Sequence, residues 1–168
     1  MALTQIIGDG LATSGLPTGS VVQVVNVQTG ASATTTSAIS YDDTIMQNSE
    51  GAEFMTLAIT PNSATNKLKI DVVFACAVNT TNKIVTVGLF QDSTANALAI
   101  GASVESLANS PFLMNFSHFM TSGTTSSTTF KVRAGPDTSA TLTFNGQSGS
   151  RKYGGVYASS ITITEIAV

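Results

Sequence analysis

Apolar and polar residues alternate with a period of two through most of this chain, the spacing of half-buried β-strands. Such runs fall at 21–27, 54–60, 67–78, 83–90, 98–105, 112–120, 128–134, 140–145 and 157–166, and no segment carries a credible helical period. The longest run says most. From Lys67 to Val78 one face carries Leu68, Ile70, Val72, Phe74, Cys76 and Val78, a core face. The other face begins Lys67, Lys69, Asp71 and then becomes Val73, Ala75, Ala77. The strand is therefore wet outside at one end and dry on both sides at the other, and a second layer or another subunit is expected to cover the dry end. In 112–120, Phe112, Met114, Phe116, His118 and Met120 share one face, while Leu113, Asn115, Ser117 and Phe119 share the other. Both faces are largely apolar, so cover on two sides is expected again. Val73, Ala75, Ala77, Phe112, Phe116 and His118 are the residues expected at a subunit contact. In 128–134 the alternation of Phe130, Val132 and Ala134 with Thr129, Lys131 and Arg133 predicts one solvated face.

Turn clusters separate the runs at 61–63, 121–127 and 135–137, and Asn145-Gly146 is a tight-turn signal. Short strands at this spacing predict one antiparallel β-sandwich or jelly roll over residues 21–168. Residues 1–20 stand apart. Gly8, Gly10, Gly15, Pro17 and Gly19 break any regular element, while Leu3, Ile6, Ile7, Leu11 and Leu16 are apolar. That combination predicts an extended arm that needs a surface to lie on, either a neighbouring subunit or its own domain.

Composition narrows the function. Apolar residues make up 42% and charged residues only 10%, so polarity comes from 25 Thr and 20 Ser. A 168-residue chain of this kind can bury one core without staples, and its outer surface is unusually neutral. Seven scattered basic residues and a net charge of −3 give no electrostatic footprint for nucleic acid. No run approaches the length of a transmembrane helix, so membrane insertion is not expected. Cys76 stands alone, a core thiol by its place in the alternation. Residues 1–16 lack the basic and apolar regions of a signal peptide, and synthesis in a cytoplasm is expected.

Chemistry-bearing residues are scattered. His118 is the one histidine; it reads as a satisfied buried side chain, or as a ring of three around a trimer axis that binds an ion or senses pH. One His and one Cys rule out an ordinary His/Cys zinc site within a chain. Asp42, Asp43, Glu50 and Glu53 form the acidic cluster, open to two readings: hard oxygen ligands for calcium, or a solvated loop. Gly8-Asp9-Gly10 lacks the following helix that a phosphate cradle needs. No Gly-x-Ser-x-Gly elbow occurs, and no catalytic, metal or cofactor-binding set is assigned. Arg151-Lys152-Tyr153 beside Gly154-Gly155 is a local basic-aromatic grouping, suited to an anionic glycan or a partner's carboxylate, or simply to solvent.

Four phrases in order carry a resemblance: Gly19-Ser20-Val21-Val22-Gln23-Val24-Val25; Ile59-Thr60-Pro61-Asn62-Ser63 with Asn66-Lys67-Leu68-Lys69-Ile70; Phe130-Lys131-Val132-Arg133-Ala134-Gly135; and the tract from Asn145-Gly146 through Gly154-Gly155 into Ser159-Ser160-Ile161-Thr162-Ile163-Thr164-Glu165-Ile166. Together they resemble the small β-sandwich domains of tailed-bacteriophage particles, over roughly residues 19–166. The resemblance implies a jelly roll shaped like the tumour-necrosis-factor and C1q heads, forming homotrimers. It implies a virion protein made in the host cytoplasm, either a capsid decoration (cement) protein or a tail-fibre tip. In the first role the partners are other copies and the major capsid protein, with Leu3, Ile6, Ile7, Leu11 and Leu16 as the attachment arm. In the second they are tail components and a host surface glycan. The short segment ahead of the domain favours decoration over a fibre. A carbohydrate-binding or carbohydrate-active module is the alternative from another class.

Overall fold

The computed structural model describes residues 16–168. Their strands are β1 (Val21–Thr29), β2 (Ala33–Thr35), β3 (Ala52–Ile59), β4 (Lys67–Val78), β5 (Lys83–Gln91), β6 (Ala99–Glu105), β7 (Phe112–Thr121), β8 (Thr128–Pro136), β9 (Leu142–Phe144), β10 (Gly146–Gln147), β11 (Ser150–Arg151) and β12 (Ser159–Ile166). A single 3-10 turn, Tyr153–Gly155, is the one helical element among the described residues.

All the pairings are antiparallel. One sheet runs β1-β12-β4, with β7 on the far edge of β4; the other runs β3-β8-β5-β6. Number the eight long strands one to eight in chain order, and the sheets read 1-8-3-6 and 2-7-4-5. That is the order of a jelly roll, produced by two Greek keys. Past Val73, β12 leaves β4 and the short β9 takes over the same edge, since Cys76 pairs with Phe112 of β7 on one side and Phe144 of β9 on the other.

The core lies between the sheets. Leu68, Ile70, Val72, Phe74, Cys76 and Val78 of β4 are all buried, facing Val85, Val87 and Leu89 of β5 and Phe130 and Val132 of β8. Phe54, Phe74 and Phe144 pack ring to ring with centroids 4.9–5.6 Å apart, Phe54 edge-on to Phe74 and both tilted against Phe144, at separations where aromatic pairs attract. All nine sequence-predicted strands are present, and 67–78 has the bounds the alternation gave it. The short β2 and the β10–β11 hairpin had no signal. The tight turn lies at Ser148-Gly149, whose φ values of 51° and 75° suit a two-residue hairpin, and not at Asn145-Gly146. Asn145 also has a positive φ of 50°, but it forms the bend between β9 and β10 and its side chain is spent on hydrogen bonds.

The dry end of β4 is covered from within. Ala75 and Ala77 are buried under the chain's own residues 139–158, not left for another subunit. Thr143 of β9 lies opposite Ala77, β10 packs onto β4, the Ala75 carbonyl accepts from the Asn145 backbone N–H at 2.8 Å, and the Ala75 N–H donates to Ser159 Oγ at 2.8 Å. Val73 is half-buried.

The outer face of the second sheet has its own cover, residues 36–51. Ile39 and Met46 of this segment form a small second core with Phe90 of β5. Arg133 ties the segment down by donating to the carbonyls of Glu50 (2.9 Å) and Gly51 (2.8 Å). The sheet has no room for side chains there: a Cβ on Gly88 would sit 2.5 Å from Met46 Sδ.

Candidate functional site: the β6–β7 flank

The sandwich has two flanks, and they differ. Edge strands β1 and β3 lie together on one side, β6 and β7 on the other. Both strands of the first flank break register, β1 between Val21 and Gln23 and β3 between Glu53 and Met55. Glu53 also places a carboxylate there, 3.8 Å from Lys131 and 3.9 Å from Arg133. Bulges and charges are how proteins blunt a sheet edge against unwanted pairing. Neither β6 nor β7 breaks register with its inner neighbour, and the ten residues of β7 include no Lys, Arg, Asp or Glu.

Exposed apolar side chains stand beside these edges, those of β7 on the outer face of the first sheet and those of β6 on the outer face of the second. Ile100 and Val104 of β6 and Leu113 and Phe119 of β7 are each 55–61% exposed, and Leu107 in the connection is 69% exposed. A depression of about 370 Å³ between Asp42–Met46 and Ala97–Ile100 adjoins the β6 end.

Register explains which residues face out. In β7, Met114 lies across from Phe74, Phe116 from Val72 and His118 from Ile70, all core positions of β4. Parity therefore turns Phe112, Phe116 and His118 toward the sandwich interior, where each is half-buried, and turns Leu113, Asn115, Ser117 and Phe119 to solvent. The alternation predicted two apolar faces on this strand, and the register puts Phe112, Phe116 and His118 together on the inward one. Elsewhere the outer face of the first sheet carries a polar row, Asn26, Thr162, Asp71 and Ser117 across four strands, beside the exposed Val24. Lys69 and Asp71 form an ion pair of 2.9 Å on it.

The acidic cluster does not converge. Asp42 accepts from the Thr44 hydroxyl and backbone N–H, which lowers its pKa; Glu50 accepts from the backbone N–H groups of Ser40 and Gln47; Glu53 faces Lys131 and Arg133. No group of three or more metal-ligating side chains forms among the described residues. Of the proposed attachment residues, Leu3, Ile6, Ile7 and Leu11 lie outside the described residues. Leu16 is half-buried and lines a depression with Asn62, Ser63 and Ala167, where Gly19 and Ser20 exchange backbone hydrogen bonds with Ala167. Cys76 is fully buried, and that burial pushes its thiol pKa far up, with Glu105 adding to the shift.

Two polar anchors went unread in the sequence. Glu165 is fully buried yet accepts from Gln23, from the side chain and backbone of Asn62, from the Ser63 backbone and from Asn66 (2.6–3.3 Å). Burial raises its pKa, but the hydrogen bonds from Gln23, Asn66 and Asn62 outweigh that and the net shift is down. The signal was present, because Glu165 shares parity with the core residues Ile161 and Ile163. Tyr157 donates to the Phe112 carbonyl at 2.7 Å, and burial, with Cys76 next in effect, pushes its pKa up to about 12.

No family model matches the chain, and no curated protein matches its sequence. Solved structures that superpose on it include dimeric latent PorU from Porphyromonas gingivalis (TM-score 0.42, 9% identity, 91% of this chain and 14% of that one). Another is the VP2 subviral particle of infectious bursal disease virus (TM-score 0.41, 11% identity, 88% of this chain and 38% of that one). A third is a Bacillus endospore appendage protein (TM-score 0.32, 13% identity, 94% and 100%). The chain thus spans well under half of the first two, and the likeness is one of β-rich shape. Viral capsid proteins are among the shapes it resembles.

Proposed function

We propose that this chain is a structural virion protein whose work is mechanical and not catalytic: a homotrimeric decoration protein on the capsid of a tailed bacteriophage. The observation that carries the reading is the unbroken β6–β7 edge, a strip whose β7 residues include no Lys, Arg, Asp or Glu and beside which Leu113 and Phe119 are more than half exposed. Such a strip suits burial against another protein, and a standard interface removes roughly 1,600 Å² from water. Several contacts of that size per trimer hold neighbouring capsid subunits together without any reacting group. The arm, residues 1–20 with Leu3, Ile6, Ile7, Leu11 and Leu16, attaches to the major capsid protein.

Labelling the protein on intact particles tests this directly. Label over the head supports decoration, and label confined to the tail overturns it. A chain lacking residues 1–15 keeps the backbone pairing of Gly19 and Ser20 with Ala167, so it is expected to fold yet fail to bind particles. Normal binding by that deletion removes the arm from the reading.

One observation favours a tail-fibre tip as a second reading. Tyr153 is 78% exposed and held at a φ of 49°, between Lys152 and two positive-φ glycines. A bulky side chain in that region is strained, and the strain presents an aromatic face to solvent, suited to stacking on a host glycan. Tail labelling together with glycan binding that Tyr153→Ala abolishes would support this reading over the first.

A further inference from the structure

We infer that the open depression at the β9 end of the first sheet binds a neutral saccharide. Asn79, Asn109, Thr141, Thr143, Ser148 and Gly149 line it, and its volume is about 480 Å³, within the roughly 300–1,000 Å³ of small-molecule sites. The inference goes beyond the decoration reading and holds wherever on a particle the chain sits. It also concerns a different place from Tyr153, which is not among the lining residues.

The fold builds the depression from four separate segments. Asn79 follows the end of β4, Thr141 and Thr143 come with β9, Asn109 precedes β7, and Ser148-Gly149 is the tip of the β10–β11 hairpin. Thr143 lies opposite Ala77 on the outer face, and the hairpin tip is fastened to it by the Gly149 N–H, which donates to Thr143 Oγ1 at 3.0 Å.

The lining selects the chemistry of the ligand. None of the six residues is charged, so a carboxylate, phosphate or ammonium would enter without a counter-charge, and desolvating an unpaired charge is costly. All but Gly149 end in an amide or a hydroxyl, so an apolar ligand would strip water from groups it cannot pair. A neutral ligand dense in groups that both donate and accept satisfies both conditions, and sugar hydroxyls are such groups.

The amides are held before any ligand arrives. Asn79 Oδ1 accepts from the Thr141 backbone N–H at 2.8 Å and from the Thr80 hydroxyl at 3.0 Å. A backbone N–H can pair only with the amide oxygen, so this contact fixes which way the amide faces. The Asn79 NH2 is left without a partner among the described residues. Asn109 donates its backbone N–H to the Val78 carbonyl at 2.7 Å, and its own carbonyl accepts from Gln147. Its Oδ1 accepts from the Ser148 hydroxyl at 3.0 Å, which leaves a second NH2 unpaired among the described residues. Donors fixed in advance lose little freedom on binding.

Two-dimensional 15N NMR of the full chain, titrated with glucose, galactose, mannose or N-acetylglucosamine, tests the inference. At least one sugar is expected to shift the Asn79 and Asn109 side-chain NH2 signals and to saturate with a Kd of about 1–10 mM, the affinity of a few hydrogen bonds in an open site. Inorganic phosphate should leave those signals unmoved. The double variant Asn79→Asp/Asn109→Asp keeps both anchored oxygens and removes both NH2 groups. Its melting temperature should hold while affinity falls at least about tenfold, the loss of two or more hydrogen bonds. Thr141→Val removes one hydroxyl at nearly constant shape and should weaken binding about threefold; it carries the test if the double variant is destabilised. No shift with any of the four sugars, the same shift with phosphate, or variants that bind like the wild type would overturn the site. Shifts confined to Tyr153 overturn it as well and favour the tail-tip reading. Label over the head removes the tail-tip reading and leaves this site standing.

Discussion

The two segments that cover the sheets from outside solve one problem in opposite ways. Residues 36–51 plug the second sheet with grease: Ile39 and Met46 settle on Phe90 where glycines leave space. Residues 139–158 cover the first sheet with a polar knot. Asn145 donates to the carbonyls of Thr29 (2.7 Å) and Ala31 (3.1 Å) and accepts from Ser159 at 2.6 Å, while Ser159 accepts the Ala75 N–H. A plug depends on volume, whereas a knot depends on every partner being present. The first should therefore tolerate a change of chemistry at constant size, and the second should not.

Replacing Asn145 with the similarly sized Leu is expected to cost most, about 3 kcal/mol, because it strands two carbonyls and a buried hydroxyl. Urea unfolding followed by circular dichroism measures it, and a loss below about 1 kcal/mol would erase the contrast. Glu165→Gln probes the other buried knot and is expected to cost about 2 kcal/mol at neutral pH. Its cost should depend on pH. The folded carboxyl titrates below its ordinary 4.5, so the charged form's advantage is complete above that value and fades as pH falls through the folded pKa. Wild-type and variant melting temperatures should then converge in acid. Gly88→Ala pushes a methyl into Met46 Sδ and is expected to cost about 1–3 kcal/mol, with faster proteolysis confined to residues 36–51. Met46→Leu conserves volume and is expected to cost less than about 1.5 kcal/mol in the same unfolding assay.

The contrast also explains what the chain disclosed before folding. Strands were legible because alternation is local, and Lys67–Val78 could be delimited from its own residues. Covers were not. Ile39 and Met46 are isolated apolar residues in a polar stretch, and they become core only because the topology lays them over β5. Asn145 resembles any turn residue until β9 and β12 bring Thr29, Ala31 and Ser159 around it. The outer face was half legible: β7 announced two apolar faces, but only its pairing with Ile70, Val72 and Phe74 decides that Leu113 and Phe119 are the pair left outside. Glu165 was legible by parity alone, since a strand that sends Ile161 and Ile163 inward sends position 165 inward too.

The register breaks in β1 and β3 also bear on how far association can go. Open-ended growth by strand addition needs a subunit whose two sides can each accept a strand. With β1 and β3 kinked out of register, one side of this sandwich is a poor template, and edge-to-edge addition cannot pass through the molecule. A continuous stack would require straightening those two strands first.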